Sequence, residues 1–287
     1  MMQQRSTDGA RDRTRFWHAR ALPGLSCLEA SFTTQRFPPH AHDAVVIAVT
    51  SAGGAVYASR GRHGEADPSV LLVFNPTEPH AGHMGRSSSW RYRALYLGED
   101  AIAELLRSLG RTTLPGFMNN SVADPRLIAG FTRAHRELDI DGDPALAREA
   151  LIDACGLLFD RYAAIAAPRT SARIDRAPVE AALATIRARY RERLTVDELA
   201  AGAGLSPFQL IRQFKRVTGM PPHAHLLRAR LHEAIRQLER GAALIDAADA
   251  SGFYDQSAMT NAFRRIYAIT PGQYARASGN PQISPRR

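Results

Sequence analysis

Two stretches in the last third of the chain decide the fold: residues 204–215 read GLSPFQLIRQFK, and residues 252–265 read GFYDQSAMTNAFRR. In the first, a glycine precedes a helix that carries Leu210 and Phe214 four residues apart, and the second repeats this spacing with a methionine and a phenylalanine. Residues four apart share one face of a helix, and two helices joined by a glycine-containing turn form a helix-turn-helix. The sequence therefore predicts two helix-turn-helix units.

Short-range signals support both units. Thr195 with Glu198, and Ser206 with Gln209, are spaced as capping boxes, which mark the first residues of helices. A predicted helix of roughly 18 residues separates the units, and at about 1.5 Å per residue it is roughly 27 Å long. This length suits two recognition helices that lie about one DNA turn, roughly 34 Å, apart on one face of a duplex. A helical bundle with two similar corners remains the alternative at this point.

The distribution of charge indicates the same kind of partner. Residues 176–287 carry 17 Lys and Arg against 9 Asp and Glu, a net charge of +8, whereas residues 1–175 have a net charge of +1. A strongly basic region favours binding to a polyanion, most often a nucleic acid. The rest of the composition, with 45% hydrophobic and 23% charged residues, is typical of a globular chain, and the length suggests about two domains.

Several functional classes are disfavoured by what the sequence lacks. No apolar stretch approaches the roughly 18–20 residues of a membrane helix, and the polar segment 1–15 does not resemble a secretory signal. Cys27 and Cys155 are far apart and form no zinc-knuckle spacing. We therefore expect a cytoplasmic protein that binds no membrane. The sequence contains no G-x-S-x-G, P-loop or H-E-x-x-H motif, so we expect a non-enzyme without a cofactor.

The N-terminal part has a different pattern. Short apolar runs separated by Gly, Pro, Asn and Asp predict a small barrel or sandwich, with strands at 25–33, 44–50, 56–59, 70–74 and 90–97. Helical spacing follows at about 102–109, 125–138 and from 144 onward. A proline-bounded segment with little apolar content then predicts a linker at 167–178.

The C-terminal pattern resembles the AraC/XylS family of bacterial regulators. The stretch 194–215 is similar to that family's first helix-turn-helix, and the stretch 252–274 is similar to its second unit and signature tail. This resemblance covers residues 179–277, and a looser likeness to the family's cupin-like ligand-binding and dimerisation domain covers residues 25–166. It implies an α+β two-domain fold, with an N-terminal cupin-like β-barrel and packed helices, and a C-terminal all-α domain whose two helix-turn-helix units are joined by a linker helix.

The resemblance also implies boundaries and a function. The expected segments are a flexible tail at 1–15, the effector and dimerisation domain at 16–166, the linker at 167–178, the DNA-binding domain at 179–277 and a flexible tail at 278–287. The implied function is a sequence-specific transcription regulator, more often an activator, that binds double-stranded DNA and a small-molecule effector in the barrel. A homodimer and contact with RNA polymerase are further implications. Two alternatives stay open: a DNA-binding regulator without an effector, and a cupin metalloenzyme with an appended helical domain.

In this family the second helix of each unit enters the major groove, which implies roles for side chains that point away from the apolar pairs. Arg212 suits a guanine edge and Ile211 a thymine methyl group, whereas Gln and Asn suit adenine. The expected base-reading residues are Phe208, Gln209, Ile211, Arg212, Gln256, Ser257, Thr260 and Asn261. Basic side chains near the helix ends suit phosphates, which fix position without reading sequence. These residues are Lys215, Arg216, Arg264 and Arg265.

Histidines mark the N-terminal part. The pair His40-x-His42, with His80 further along, resembles a cupin metal site, but such a site adds a Glu shortly after the first pair. The expected place is apolar here, and Asp43 points the other way if the strand alternates. We therefore expect no metal, and instead a metal-free barrel mouth that binds a small molecule. The expected effector-binding residues are Arg36, His40, His42, Glu78, His80, Trp90 and Tyr92.

Overall fold

The N-terminal domain is built from antiparallel strands. The computed structural model describes residues 12–139, 143–164 and 176–283. The strands are β1 (Arg13–His18), β2 (Leu25–Phe32), β3 (Arg36–His40), β4 (Val45–Gly53), β5 (Ala55–Ser59), β6 (Arg62–Ala66), β7 (Leu71–Phe74), β8 (His80–Met84), β9 (Trp90–Leu97), β10 (Gly116–Phe117), β11 (Ser121–Val122) and β12 (Ala163–Ala164). They form a six-stranded sheet in the order β1-β2-β9-β4-β7-β11, a four-stranded sheet in the order β3-β8-β5-β6, and the pair β10-β12.

The six-stranded sheet is buried on both faces. Side chains alternate between the faces of a strand, so Ile47 and Val46 of β4 point in opposite directions. Ile47 joins a core with the three helices α1 (Glu99–Ser108), α2 (Pro125–Glu137) and α3 (Pro144–Tyr162). Val46 instead joins side chains of the four-stranded sheet in the space between the two sheets. The helices thus cover one side of the sheet, and the other side faces the barrel interior.

The C-terminal domain is all helical. Its helices are α4 (Ala177–Arg189), α5 (Val196–Gly202), α6 (Pro207–Thr218), α7 (Pro222–Glu239), α8 (Leu244–Ala250), α9 (Gln256–Tyr267) and α10 (Pro271–Ala277). The first helix-turn-helix unit is α5–α6 and the second is α8–α9, with α7 as the helix between them. This arrangement, together with the N-terminal sheets, confirms the expected two-domain α+β fold.

The predicted strands and helices are present, but seven strands were not predicted. These are β1, the two-residue strands β10, β11 and β12, and three members of the four-stranded sheet, β3, β6 and β8. Parts of both expected flexible tails are ordered, which corrects the prediction. At the N-terminal end, Arg13, Thr14 and Arg15 pair in β1 with Ser31, Ala30 and Glu29 of β2. At the other end, Asn280 Nδ2 donates to the carbonyls of Leu238 and Ala242 at 2.9 Å. Helix α4 begins inside the predicted linker, and residues 1–11, 165–175 and 284–287 lie outside the described residues.

The two domains share one hydrophobic cluster. The apolar side chains of the barrel interior are continuous with those of α7, α9 and α10. Phe16 of β1 stacks on Tyr274 of α10, with ring centroids 5.4 Å apart, and the C-terminal end of α9 packs on β3. By contrast, the side chains under the first helix-turn-helix unit form a separate cluster among α4, α5, α6 and α7. The second unit therefore shares its core with the barrel, whereas the first unit meets the N-terminal domain at Gly219, which lies against Pro79.

Candidate nucleic-acid interface and effector cavity

Helix α6 is the candidate reading helix of the first unit. Leu210 and Phe214 are fully buried beneath it, so the opposite face is turned to solvent. On that face Phe208 is 73% exposed and Arg212 is exposed, while Ile211 is half-buried. A phenylalanine this exposed is unusual in a soluble protein unless the surface meets a partner. The structure thus brings three of the predicted reading residues to one accessible surface.

Gln209 takes part in the cap of this helix. Its side-chain Oε1 accepts a hydrogen bond from the Ser206 backbone N–H at 2.9 Å, and the Gln209 N–H donates to Ser206 Oγ at 3.3 Å. This reciprocal pair is a capping box, which satisfies backbone donors at the start of α6. The cap engages the acceptor oxygen of the exposed Gln209 and leaves its Nε2 donor to the solvent side, so its base-reading role stays a prediction.

Helix α9 is the corresponding helix of the second unit. Its cap is Asp255, whose Oδ1 accepts a hydrogen bond from the Ala258 N–H at 2.6 Å. Met259 and Phe263 are fully buried on its inner face. The predicted reading residues lie on the outer face, where Gln256, Ser257 and Asn261 are exposed and Thr260 is half-buried. Docking on the barrel leaves this outer face free.

All four predicted phosphate-binding side chains are exposed: Lys215, Arg216, Arg264 and Arg265. None of them forms an ion pair with another residue in the described part of the chain. Arg264 lies at one edge of a polar groove between α9 and α10 and the strands β1 and β2, which also holds Arg13 and Arg91. These cations carry uncompensated charge, as a phosphate-binding surface requires.

The candidate effector site is a cavity of about 70 Å³ between the two sheets of the barrel. Its walls are mainly aromatic, and Trp90 stacks on Tyr92 with ring centroids 4.2 Å apart. Ile266 of α9 closes one side of it. The structure therefore brings five predicted effector residues to this cavity: His40, His42, His80, Trp90 and Tyr92.

The three histidines of the cavity form a compact cluster. The Nε2 atoms of His40 and His42 are 3.1 Å apart, and one ligand atom from each of His40, His42 and His80 lies within 4.8 Å of the others. Burial lowers the pKa of His40 to about 3 and that of His80 to about 4, and it also lowers the pKa of His42. The imidazoles are therefore neutral at physiological pH and offer nitrogen lone pairs to the cavity.

Glu78 does not line the cavity, contrary to the prediction. Its carboxylate accepts hydrogen bonds from Ser59 Oγ at 2.7 Å and from Asn75 Nδ2 and Asn120 Nδ2 at 2.6 Å, and it forms an ion pair with Arg60. Burial raises the pKa of Glu78, but these hydrogen bonds outweigh burial and hold the pKa below its usual value. The carboxylate is fully used in fixing surrounding loops and has no role left at the effector site.

Arg36 was also predicted to line the cavity, and it does not. It is exposed on β3, opposite His83 of β8, and lines a shallow outer groove rather than the cavity. A register shift between Phe37 and His40 interrupts the pairing of β3 with β8, and Arg36 is exposed whereas His40 is buried.

Residues that connect the cavity to the DNA-binding domain were not predicted. Asp43, which follows His42, forms an ion pair with Arg228 of α7 and lies 3.5 Å from His232 Nδ1. The His42 ring also lies 5.5 Å from the ring of Tyr267 in α9. In the sequence, Asp43 stands out as an acidic residue next to the histidine pair. Its partners Arg228 and His232 are too distant along the chain for the contact to be inferred.

A larger cleft lies between the domains. Its volume is about 610 Å³, and residues of both domains line it, among them His18, Tyr96, Glu239 and Tyr274. His18 Nε2 and Ser278 Oγ are in hydrogen-bond contact across it at 3.0 Å. The cleft has the size of a typical small-molecule site.

Two domain families match the chain in the order that the fold displays. The "AraC-like ligand binding domain" matches residues 22–154, and the "Helix-turn-helix domain" matches residues 199–277. The chain belongs to the AraC family of transcriptional regulators. This confirms the predicted family and the predicted class of function, a DNA-binding regulator with a ligand-binding domain.

Proteins similar to this AraC-family protein are also named transcriptional regulators. YbfI of Bacillus subtilis, an uncharacterised HTH-type transcriptional regulator, is 27% identical over 230 residues, which cover 78% of this chain and 82% of YbfI. The transcriptional regulator MtrA of Neisseria gonorrhoeae is 33% identical over 85 residues, covering 29% of this chain and 28% of MtrA. Among solved structures, an apo ToxT variant from Vibrio cholerae superposes with a TM-score of 0.52 at 11% identity, covering 93% of this chain and 97% of ToxT. At this identity the likeness concerns the fold.

A search of the described helices finds none with the length and hydrophobicity needed to cross a bilayer.

Proposed function

We propose that this protein reads a specific DNA sequence with α6 and α9, and that a ligand in the barrel controls how the second unit is held. Two observations together carry the proposal. Helices α6 and α9 are both capped, and each has a buried apolar face and an exposed face. The barrel packs directly on α9 but, among the residues that the structure describes, shares no core with α6.

Base reading is assigned to the exposed faces of both helices. In the first unit, Arg212 donates to a guanine edge, and Phe208 and Ile211 contact thymine methyl groups. In the second unit the reading residues are Gln256, Ser257, Thr260 and Asn261. The phosphate-binding residues are Lys215, Arg216, Arg264 and Arg265, because they are exposed and unpaired among the described residues.

The deciding experiment compares Arg212→Ala with Lys215→Ala on DNA fragments that the wild-type protein selects from genomic DNA in vitro. We expect Arg212→Ala to weaken binding by about 1–3 kcal/mol on the selected site and to relax preference at one base pair. Lys215→Ala is the matched control: it should weaken binding to all sequences and reduce the salt slope by about one. Equal losses on selected and random DNA for Arg212→Ala would contradict base reading.

Control by a ligand follows from the contacts between the barrel and the second unit. The cavity wall includes Ile266 of α9, and the loop that carries His42 also carries Asp43, which holds Arg228 of α7. A ligand that changes this loop or displaces Ile266 alters the docking of α7 and α9. Because a ligand shifts a conformational equilibrium only through its different affinities for the two states, the docked and undocked arrangements must differ at the cavity.

The cavity restricts the ligand in the docked arrangement. A volume of about 70 Å³ is well below the roughly 300–1,000 Å³ of ordinary small-molecule sites, so a larger effector requires movement of α9. The interdomain cleft is the second candidate site, because its volume of about 610 Å³ falls within that range. A thermal-shift screen of metabolites, including fatty acids because one ToxT structure holds an unsaturated fatty acid, tests both. A regulator without an effector would respond to none of them.

A homodimer, activation through RNA polymerase and a cytoplasmic location are further parts of the proposal. Leu146 and Tyr162 of α3 are large apolar side chains that are 48% and 38% exposed, which favours α3 as part of a dimer surface. Leu146→Arg should then convert the dimer to a monomer in sedimentation experiments.

A non-enzymatic role is also proposed. Burial raises the pKa of both Cys27 and Cys155, which leaves these thiols protonated and unreactive. The most buried carboxylate of the barrel, Glu78, is fully hydrogen-bonded. Neither group suits a nucleophile or a general base.

A further inference from the structure

We propose that His40, His42 and His80 form a binding site for a divalent transition-metal ion of the zinc type. This reverses the expectation from sequence, which relied on a missing glutamate. The three side chains come from the end of β3, the following loop and the start of β8, and the fold brings one nitrogen of each within 4.8 Å of the others.

The distances fit metal coordination. In a tetrahedral zinc site with Zn–N bonds of about 2.0–2.1 Å, ligand nitrogens lie roughly 3.3 Å apart. The Nε2 atoms of His40 and His42 are already 3.1 Å apart. The third nitrogen, from His80, lies within 4.8 Å of the other two.

Two of the imidazoles are held in the tautomer that a metal requires. His40 Nδ1–H donates to the Pro38 carbonyl at 2.7 Å, and His80 Nδ1–H donates to the Glu78 carbonyl at 2.9 Å. Each bond places the proton on Nδ1 and leaves Nε2 with the lone pair that binds an ion. In this arrangement the lone pair of His40 accepts a hydrogen bond from His42 Nε2–H at 3.1 Å, so metal binding replaces this bond and requires His42 to carry its proton on Nδ1. Backbone carbonyls in this position are the usual outer partners of metal-binding histidines. Neutral imidazole is also the form that binds metal, and burial keeps the pKa of His40 and His80 near 3 and 4.

The size of the cavity favours an ion over a typical organic ligand in the docked arrangement. About 70 Å³ has room for an ion with one or two water ligands, since a water molecule takes about 30 Å³ in the liquid. Three nitrogen ligands select zinc, nickel, copper or iron over magnesium or calcium, which prefer oxygen. No carboxylate lines this cavity among the described residues, so the fourth position is left to water, hydroxide or a small anion.

Occupancy by an ion has a consequence for regulation, which rests on the proposed function. The His42 ring contacts Tyr267 of α9 at a centroid distance of 5.5 Å. A metal bound to His42 would hold the His42 ring in one orientation and so restrict its contact with Tyr267. The ion is then either the effector itself or the group that holds it.

The test uses untagged full-length protein that has been treated with a chelator and titrated with zinc chloride by calorimetry. We expect one high-affinity equivalent per chain, and the visible absorption of a tetrahedral nitrogen-ligated ion when cobalt replaces zinc. His80→Gln should weaken binding about tenfold or more. The matched control is His83→Gln, an exposed histidine on the same strand, which should bind as wild type. Equal binding by His80→Gln, or no stoichiometric binding by wild type, would overturn the proposal.

A second measurement keeps the test decisive if His80→Gln fails to fold. X-ray absorption of zinc-loaded wild-type protein should show the scattering of three imidazoles, and sulfur or mainly carboxylate ligands would contradict the site. DNA binding is measured separately on both the metal-free and the zinc-loaded protein. Metal binding without DNA binding would refute the proposed function and leave the metal site standing, whereas DNA binding without metal binding would do the reverse.

Discussion

The first and second helix-turn-helix units place the same kind of capped helix over the same kind of apolar pair, but they differ in what lies behind them. Phe214 packs in a cluster confined to the helices around it, whereas Phe263 belongs to the cluster that extends into the barrel. The two turn glycines differ as well: a Cβ on Gly204 would meet nothing within 4 Å, but one on Gly252 would lie 2.5 Å from the Cα of Arg191. The first unit is thus stabilised by its own core, and the second is stabilised jointly with the ligand-binding domain.

The largest expected loss of stability comes from removing the central phenylalanine of either core, and hydrogen exchange then distinguishes the two cores. Phe214→Ala and Phe263→Ala should each destabilise the protein by about 3–5 kcal/mol, because both side chains are fully buried. We expect Phe263→Ala alone to increase hydrogen exchange in β3 as well, since its cluster continues into the barrel. Exchange mass spectrometry measures this directly. Faster exchange of β3 in Phe214→Ala would contradict the independence of the first unit.

Replacing the two turn glycines with alanine gives a matched pair of variants with a smaller expected loss of stability. Both have a positive φ, +66° for Gly204 and +77° for Gly252, so alanine costs about 1–2 kcal/mol at either position. At Gly252 the added methyl group also collides with the backbone of Arg191, which raises the expected cost to about 2–4 kcal/mol. Denaturant unfolding of Gly204→Ala and Gly252→Ala compares them. Equal losses would show that the contact with Arg191 relaxes freely.

Acid should weaken the first unit through one histidine. His225 of α7 lies against Phe214, with ring centroids 5.1 Å apart, and burial lowers its pKa from 6.5 to about 4. Because the unfolded chain takes up the proton first, the stabilisation is complete above pH 6.5 and is lost as the pH falls from 6.5 to 4. Allowing for partial exposure of the ring to solvent, we expect a loss of about 1–2 kcal/mol.

The pH dependence has its own control. His225→Phe should flatten the stability profile of the first unit over this range, whereas His223→Gln, an exposed neighbour on the same helix, should leave it unchanged. An unaltered slope in His225→Phe would assign the acid sensitivity to other groups.

The smallest effect on stability concerns the ion pair between the barrel and α7, which lies beside the C-terminal end of α9. Asp43→Asn should cost less than about 1 kcal/mol, because Arg228 and Asp43 are both partly exposed. Hydrogen exchange at the C-terminal end of α9 should nevertheless rise, while α6 stays protected. Glu192→Gln, which removes an ion pair with Arg189 at the C-terminal end of α4, is the control and should not affect α9.

The helical domain was predictable because its signals are local. The capping boxes that begin α5 and α6 each span four residues, and both form as expected. The four-stranded sheet was not predictable in the same way. β3 contains two consecutive prolines, and β6 and β8 are short, polar and rich in histidine and glycine, so neither apolar alternation nor β-propensity marks them. Their pairing depends on contacts distant in sequence.

In the candidate site as well, features with a local sequence signal were predicted and contacts between distant residues were not. The spacing of His40 and His42 identified the cavity, and Trp90 and Tyr92 lie in it. Glu78 was assigned to it wrongly, because the side chains that engage its carboxylate come from separate loops. The link from Asp43 to Arg228 spans 185 residues, and no short-range pattern encodes such a contact.

The shared cluster has a practical consequence for work on the isolated DNA-binding region. A fragment that starts near residue 176 would uncover the flank of α9 and α10 that the barrel normally shields, including Ile266, Tyr267 and Tyr274. Such bare aromatic surface promotes self-association in water. Polar replacements on that flank, which is remote from the DNA-facing side, would be needed to keep the truncated protein in solution.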